Sequence, residues 1–157
     1  MSAAERQARV VESFGRRVVV EDESGQRTPA ELFGKRLSCV CGDVVRIREA
    51  AQGGDVPRVV AVEPRRTLFA RTDSRGRTEP LAANVSLLVV IFAPEPEPDP
   101  FITDRYLAGA AFAGIKALVV VNKCDLESAR EASFRELVKE FEAAGYDVLQ
   151  VSTLEPE

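Results

Sequence analysis

The sequence predicts a small β-barrel in its first half and an α/β unit with a parallel sheet in its second. Three observations carry this reading. Residues 8–63 hold short apolar segments broken by turn residues at 8–12-residue spacing, without a long helical period. From Asn84 the pattern changes to apolar strands that alternate with amphipathic helical stretches. The charge divides at the same place: residues 1–80 carry 15 Lys+Arg against 12 Asp+Glu, and residues 81–157 carry 6 against 13. Balances of +3 and −7 point to two units, with polyanion contact assigned to the first.

In the first unit, Val10-Val11 leads to Phe14-Gly15, followed by Arg16 to Val20 and a turn at Glu21 to Gly25. Arg27 to Phe33, Val40 to Arg48, a Gly53-Gly54-Asp55 turn and Val56 to Val62 complete the set. Five strands in about 60 residues fit an OB-fold, a common oligonucleotide platform, here assigned to residues 1–71. Strand alternation puts Val44, Arg46 and Arg48 on one face and Val45 and Ile47 on the other. Arg46 and Arg48 then face either solvent or RNA phosphates. Arg65, Arg66 and Arg71 form a basic exit from the barrel, continued by Arg75 and Arg77. Residues 72–83 have the composition of a linker. Cations beside a barrel contact RNA phosphates without reading sequence, and a solubilising linker has the same composition.

The second unit, residues 84–157, reads β-α-β-α-β. Val85 to Ala93 is an apolar strand expected to be buried on both faces, and its Pro94-Glu95-Pro96-Glu97-Pro98-Asp99-Pro100 exit is a stiff loop. Asp99 is placed to cap a helix with Pro100 at its first position, and Ile102, Tyr106, Ala110 and Ala113 form its apolar stripe up to Gly114. A second strand covers 116–121. Ser128 to Glu131 has capping-box spacing, after which Phe134, Leu137, Val138 and Phe141 follow a helical period ended by Gly145. Tyr146 to Val151 makes a third strand, ending at Ser152-Thr153. Such an order requires a parallel sheet with right-handed crossovers.

The chemistry concentrates where the middle strand stops, at Asn122-Lys123-Cys124-Asp125. Polar groups at the carboxyl end of a buried parallel strand lie where open α/β sheets bind ligands. Guanine offers two donors, N1–H and the 2-amino group, and the Asp125 carboxylate accepts both. Adenine sets an unprotonated N1 against the same carboxylate, and a buried mismatch of that kind is rejected. The Asn122 amide suits N7, O6 or a neighbouring loop, and the Lys123 stem covers the base face. A plain polar turn closed by Asp125 is the competing reading.

At 157 residues, 45% hydrophobic and 29% charged, the composition is that of a globular protein and excludes a disordered chain. No apolar run approaches the 18 residues of a membrane span, and Met1 to Arg6 lacks a signal-peptide core. No membrane contact and a cytoplasmic location are therefore expected. Cys39, Cys41 and Cys124 read as reduced thiols, since no histidine is present to complete a zinc site.

The order of these parts carries a resemblance. Val40-Cys41-Gly42-Asp43-Val44-Val45, Val62 to Leu68, Ala82-Ala83-Asn84-Val85, Asp104-Arg105-Tyr106-Leu107, Asn122 to Leu126 and Val151-Ser152-Thr153 together resemble the circularly permuted GTPases. Within them they are similar to the ribosome small-subunit-dependent GTPase A (RsgA, or YjeQ) family. Asn122-Lys123-Cys124-Asp125 resembles the guanine-specificity motif Asn-Lys-x-Asp of GTP-binding proteins. The resemblance implies a cytoplasmic GTPase of small (30S) ribosomal subunit maturation, with an OB-fold on rRNA. It implies GTP or GDP held by Asn122, Lys123 and Asp125, with Ser152 and Thr153 on the other side of the base. The fold it implies is an incomplete, P-loop NTPase-like half domain.

No Gly-x-x-x-x-Gly-Lys-Ser/Thr occurs in the sequence, and no Asp-x-x-Gly follows Asp125. In the permuted order these elements, with magnesium and a Cys/His zinc domain, lie beyond residue 157. The chain is accordingly read as an N-terminal portion without catalytic or metal residues of its own, and self-association through its unpartnered strand is expected. A different class stays open beside this one, namely a non-catalytic OB-fold module that binds RNA or protein.

Overall fold

The computed structural model describes residues 5–49 and 56–154. The Gly53-Gly54-Asp55 turn lies outside the described residues. Among those described, no helix is long and apolar enough to cross a membrane. The chain divides into two compact units between Val85 and Ser86.

The first unit opens with β1 (Glu5–Phe14), β2 (Arg17–Glu21), β3 (Arg27–Leu32), β4 (Val44–Arg48) and β5 (Arg58–Val62). They form a closed, OB-like barrel in the order β1-β2-β3-β5-β4, parallel only between β3 and β5. A register shift between Val10 and Glu12 lets the long β1 pair with β4 through its first half and with β2 through its second. Strict alternation fills the interior: Ala8, Val10, Val18, Val20, Ala30, Leu32, Val45, Ile47 and Val59 are buried together with Cys39. Val45 and Ile47 point inward while Arg46 and Arg48 point out, as the alternation requires.

The segment 72–83, expected as a linker, is structured. Residues β6 (Leu68–Thr72) and β7 (Thr78–Ala83) form an antiparallel hairpin. Its turn explains the composition. The Asp73 carboxylate accepts the backbone N–H groups of Arg75 and Arg77 at 2.8 and 2.9 Å and the Arg77 guanidinium at 2.8 Å. Asp, Ser and Gly were turn chemistry there, not linker chemistry.

The hairpin is fastened to the barrel through Gly42 and Asn84. Asn84 donates its side-chain amide to the Gly42 carbonyl at 2.9 Å and accepts the Arg66 N–H at 2.8 Å. Gly42 sits at φ +89°, and a Cβ there would stand 2.0 Å from the Ala83 carbonyl oxygen. Only glycine meets both conditions.

The second unit holds β8 (Leu87–Phe92), α1 (Pro100–Phe112), β9 (Lys116–Val121), α2 (Ala132–Ala143) and β10 (Asp147–Gln150), with a single 3-10 turn at Glu127–Arg130. The sheet is parallel, in the order β10-β9-β8. A chain that advances steadily across a sheet with right-handed crossovers leaves both helices on one face. That face is the core: Val90, Val119 and Val121 meet Leu107, Phe134, Val138 and Phe141.

The other face departs from expectation. Leu87, Val89, Ile91, Leu149 and Val151 are exposed, so these strands are covered on one side only within this unit. Two helix details also differ. Asp99 caps α1 as expected, accepting the Phe101 N–H at 2.9 Å, but the buried side is Thr103, Leu107 and Ala110. Ile102 and Tyr106 stand at its shoulder, half exposed. Apolar residues surround this helix, so their spacing does not select the face that packs. Ser128 does not cap α2; it donates to the Glu95 carboxylate at 2.5 Å, because the 3-10 turn removes it from the helix start.

Candidate functional site

The site is built at the carboxyl ends of β9 and β10. Gln150 lies beside Val121 in register, the Val151 N–H donates to the Val121 carbonyl at 2.8 Å, and the Cys124 N–H donates to the Val151 carbonyl at 3.2 Å. The two strand exits are thus stitched together just where the apolar runs end. On the other side, the Asn122 N–H reaches the Phe92 carbonyl at the end of β8 at 2.8 Å.

Each residue of the loop has a separate task. Asn122 Oδ1 accepts the Lys123 N–H at 2.8 Å, which closes a tight local turn. Lys123 takes φ +60°, a left-handed conformation costly for a side-chain-bearing residue. Its Nζ donates to the Glu95 carbonyl at 3.0 Å, so the stem is strung across the mouth of the sheet. Cys124 turns inward, against the core of Val121, Phe134 and Val138.

Asp125 is half-buried, and its Oδ1 accepts the Ser152 hydroxyl at 2.5 Å. The same Ser152 oxygen accepts the Leu154 N–H at 3.1 Å. Ser152 therefore holds the carboxylate in one orientation, and each carboxylate oxygen keeps a lone pair for a donor in the mouth. Thr153 is exposed and points to no bonded partner among the described residues. The geometry brings Asn122, Lys123, Asp125 and Ser152 together.

Glu95 was not singled out by sequence reasoning, yet its carbonyl anchors Lys123 and its carboxylate anchors Ser128. The signal was its place in the stiff Pro-Glu-Pro loop at the exit of β8, one strand away from the motif.

The arginines of the first unit are placed differently from one another. Arg48 is 2.7 Å from Glu5, and Arg46 is 3.0 Å from Glu63 and 3.5 Å from Glu5. Both stay about half exposed, paired along the outer face of β4. Arg65 donates two bonds, at 2.7 and 2.8 Å, to the fully buried Asp43. Arg66 is exposed, and its side chain makes no ion pair among the described residues. No group of three or more His, Cys, Asp or Glu residues able to hold a metal ion occurs among the described residues.

The sequence model of the family described as RsgA GTPase matches residues 62–157. The chain belongs to the RsgA GTPase family. It is 41% identical over 153 residues to the small ribosomal subunit biogenesis GTPase RsgA of Chromohalobacter salexigens, covering 95% of this chain and 44% of that protein. The RsgA of Azotobacter vinelandii is 40% identical over 153 residues, covering 91% of this chain and 43% of its own length. Among solved structures, YjeQ from Thermotoga maritima shares the fold at a TM-score of 0.68 and 24% identity, over 95% of this chain and 52% of that one. The chain thus spans less than half the length of the curated RsgA relatives it matches.

Proposed function

We propose that this chain supplies the guanine-recognition and RNA-contacting portion of a GTPase that acts on the small ribosomal subunit in the cytoplasm. The observation that carries the reading is the Asp125–Ser152 pair at 2.5 Å, set at the joined exits of two parallel strands with the Lys123 stem across the mouth. A carboxylate held in one orientation there accepts guanine N1–H and the 2-amino group together. Lys123 covers the base face, and Asn122 supports the loop. Thr153 lies beside Ser152 at the rim.

The curated relatives are named small ribosomal subunit biogenesis GTPases, and the OB-like barrel is the part suited to rRNA. Arg66 offers its charge directly. Arg46 and Arg48 would exchange a carboxylate partner for a phosphate, and Arg65 contributes through the position of its segment. Phosphoryl transfer needs a backbone cradle for phosphate, a lysine on it and a magnesium ligand. The sequence holds no Gly-x-x-x-x-Gly-Lys-Ser/Thr to supply them. Base contacts alone then give an affinity of about 1 mM or weaker, near 4 kcal/mol.

The test is an NMR titration of the labelled chain with GDP and ADP at millimolar concentration. GDP should shift the amides of Lys123, Asp125 and Ser152, and ADP should leave them in place. Equal shifts from the two nucleotides would remove the base-recognition reading.

A further inference from the structure

We infer that the groove between residues 94–99, the start of α1 and the length of α2 is a docking site for a basic polypeptide segment, one that carries lysine or arginine between apolar residues. The site lies wholly within the second unit and does not depend on the guanine or RNA readings.

The proline-rich loop that leaves β8 and the helix α2 enclose a hollow of about 650 Å³. Its floor is apolar: Pro94 and Phe134 are buried, and Pro98 and Leu137 are half-buried. A smaller hollow of about 210 Å³ between α1 and α2 shares Pro100, Leu137 and Glu140 with it, so the two run on from one another as a single trough.

The rim is acidic. Glu95, Glu97, Glu131, Glu136 and Glu140 line the larger hollow, and Asp104 joins Glu140 at the smaller one. Neither hollow is lined by a lysine or arginine among the described residues. The Glu95 carboxylate accepts the Ser128 hydroxyl, but none of these six carboxylates makes an ion pair among the described residues.

α2 does not place its charges for its own stability. Glu136 and Glu140 stand four residues apart on the groove side, while Arg135 and Lys139 stand four apart on the other flank, lining a different hollow. Like charges at that spacing destabilise a helix, and opposite charges would support it. Glu140 also lies in the last turn, where the helix dipole favours a cation. A cationic partner in the groove compensates both, and that is a reason for the sorting that the isolated helix does not supply.

The occupant follows from the two surfaces it must satisfy. A nucleic acid is repelled by the carboxylate rim, and a small cation leaves the apolar floor uncovered. The carboxylates do not converge on a point either, since no group able to hold a metal ion occurs among the described residues. In an extended polypeptide alternate side chains point opposite ways, so apolar residues enter the floor while long lysine or arginine stems reach the rim. Glu131 and Glu140 are nine residues apart, about 13 Å along the helix. That is the reach of about four residues of extended chain.

The experiment is fluorescence anisotropy of the chain with the labelled peptide Lys-Leu-Lys-Pro-Lys-Leu-Lys, with Lys-Gly-Lys-Pro-Lys-Gly-Lys and spermine as competitors. The leucine peptide should bind, and the two competitors, which lack apolar side chains for the floor, should bind more weakly by roughly 10-fold or more. Glu136→Gln combined with Glu140→Gln should weaken the leucine peptide by roughly 2- to 30-fold at low salt, the range for two exposed ion pairs. High salt should erase that difference. Glutamine matches glutamate in helix propensity, and circular dichroism checks that the variant is folded. Arg135→Gln combined with Lys139→Gln, on the other flank, should bind the leucine peptide at least as tightly as the wild-type chain. In the unaltered chain the peptide should shift the Ser133, Glu136 and Glu140 amides, a readout that stands even if a variant fails to fold. Absence of binding, shifts confined to other residues, or equal loss in the two double variants would overturn the docking site. Glycine peptide or spermine binding as tightly as the leucine peptide would also overturn it, in favour of a diffuse attraction for polycations.

Discussion

Arg65 grips Asp43 with two parallel hydrogen bonds of 2.7 and 2.8 Å, and Asp43 is wholly buried. The carboxylate also accepts the Val40 N–H at 2.9 Å, so one side chain joins the loop before β4 to the segment after β5. A buried charge that loses its partner is strongly destabilising, by about 3–5 kcal/mol. Arg65→Met should therefore cost about that much in urea unfolding, while Arg66→Gln, at an exposed neighbour, should stay within about 0.5 kcal/mol. Equal small effects of the two substitutions would show that the pair is a surface contact in solution.

The same corner sets the behaviour of Cys39. Burial first, and the nearby Asp43 carboxylate second, push its thiol up from 9.0 to about 11, against the opposing pull of Arg65. The folded state thus holds the Cys39 proton more tightly than the unfolded chain does. Its contribution to stability is complete below about pH 9 and is lost as pH rises through about 11. The urea midpoint of the wild-type chain should fall towards that of Cys39→Ala across this window, which cancels the titration of other groups. In alkylation at pH 8, exposed Cys41 should react well before buried Cys39. A constant difference between the two chains from pH 8 to 11 would contradict the thiol shift.

Gly42 gives a prediction of a different kind. Gly42→Ala places a methyl group 2.0 Å from the Ala83 carbonyl oxygen at a backbone φ of +89°. The left-handed conformation alone costs about 1–3 kcal/mol for such a residue, and the clash adds to it by forcing β7 away from the barrel. Hydrogen exchange of the Ala83 and Asn84 amides, which bond to the Cys41 and Thr67 carbonyls, should speed up in the variant. Unchanged protection there would mean that the hairpin is not anchored through Gly42.

What was legible in the sequence follows the strength of the local signal. Val45 and Ile47 alternate cleanly with Arg46 and Arg48, so the barrel faces could be assigned. The run Ala117 to Val121 ends abruptly at Asn122, and the structure puts the motif at the strand exit accordingly. The misreadings arise where one composition serves two purposes. Asp73, Arg75 and Gly76 look alike in a linker and in a hairpin turn, and only the carboxylate bonds of Asp73 distinguish them. Leu107 and Ile102 are equally apolar, and only packing against β8 and β9 decides which is buried. The partner of Arg65 lies 22 residues away and its selection by Asp43 depends on the closed barrel. Likewise Arg58 reaches the Phe33 ring because β3 and β5 meet, and nothing local marks that contact.

The open face of the second sheet leads to a prediction about association. Among the described residues β8 pairs only with β9; it carries no charge or proline and presents Leu87, Val89 and Ile91, which are 44–63% exposed. Uncharged, unblunted edges of this sort pair with other chains. Sedimentation should show concentration-dependent self-association, and Ile91→Lys should suppress it without unfolding the chain. A wild-type chain that stays monomeric at millimolar concentration would count against an available β8 edge.

The base site has the most direct chemical test. Asp125, held by Ser152, is suited to guanine because N1–H and the 2-amino group are both donors. Xanthine keeps N1–H and carries a carbonyl at C2, so a side chain with one acceptor and one donor matches it better. Asp125→Asn should move the preference from GDP towards XDP. One bidentate base contact is worth about 1–3 kcal/mol by analogy with base readout in nucleic-acid complexes, a change of roughly 5- to 150-fold. Ser152→Ala should weaken both nucleotides without inverting the preference, because it frees the carboxylate to turn while leaving its acceptors intact. Parallel titrations of the three chains with GDP and XDP, followed at the Lys123 and Ser152 amides, read the preference directly. Should Asp125→Asn keep the wild-type order in a folded chain, Asn122-Lys123-Cys124-Asp125 is a polar turn that closes β9 and the guanine assignment falls.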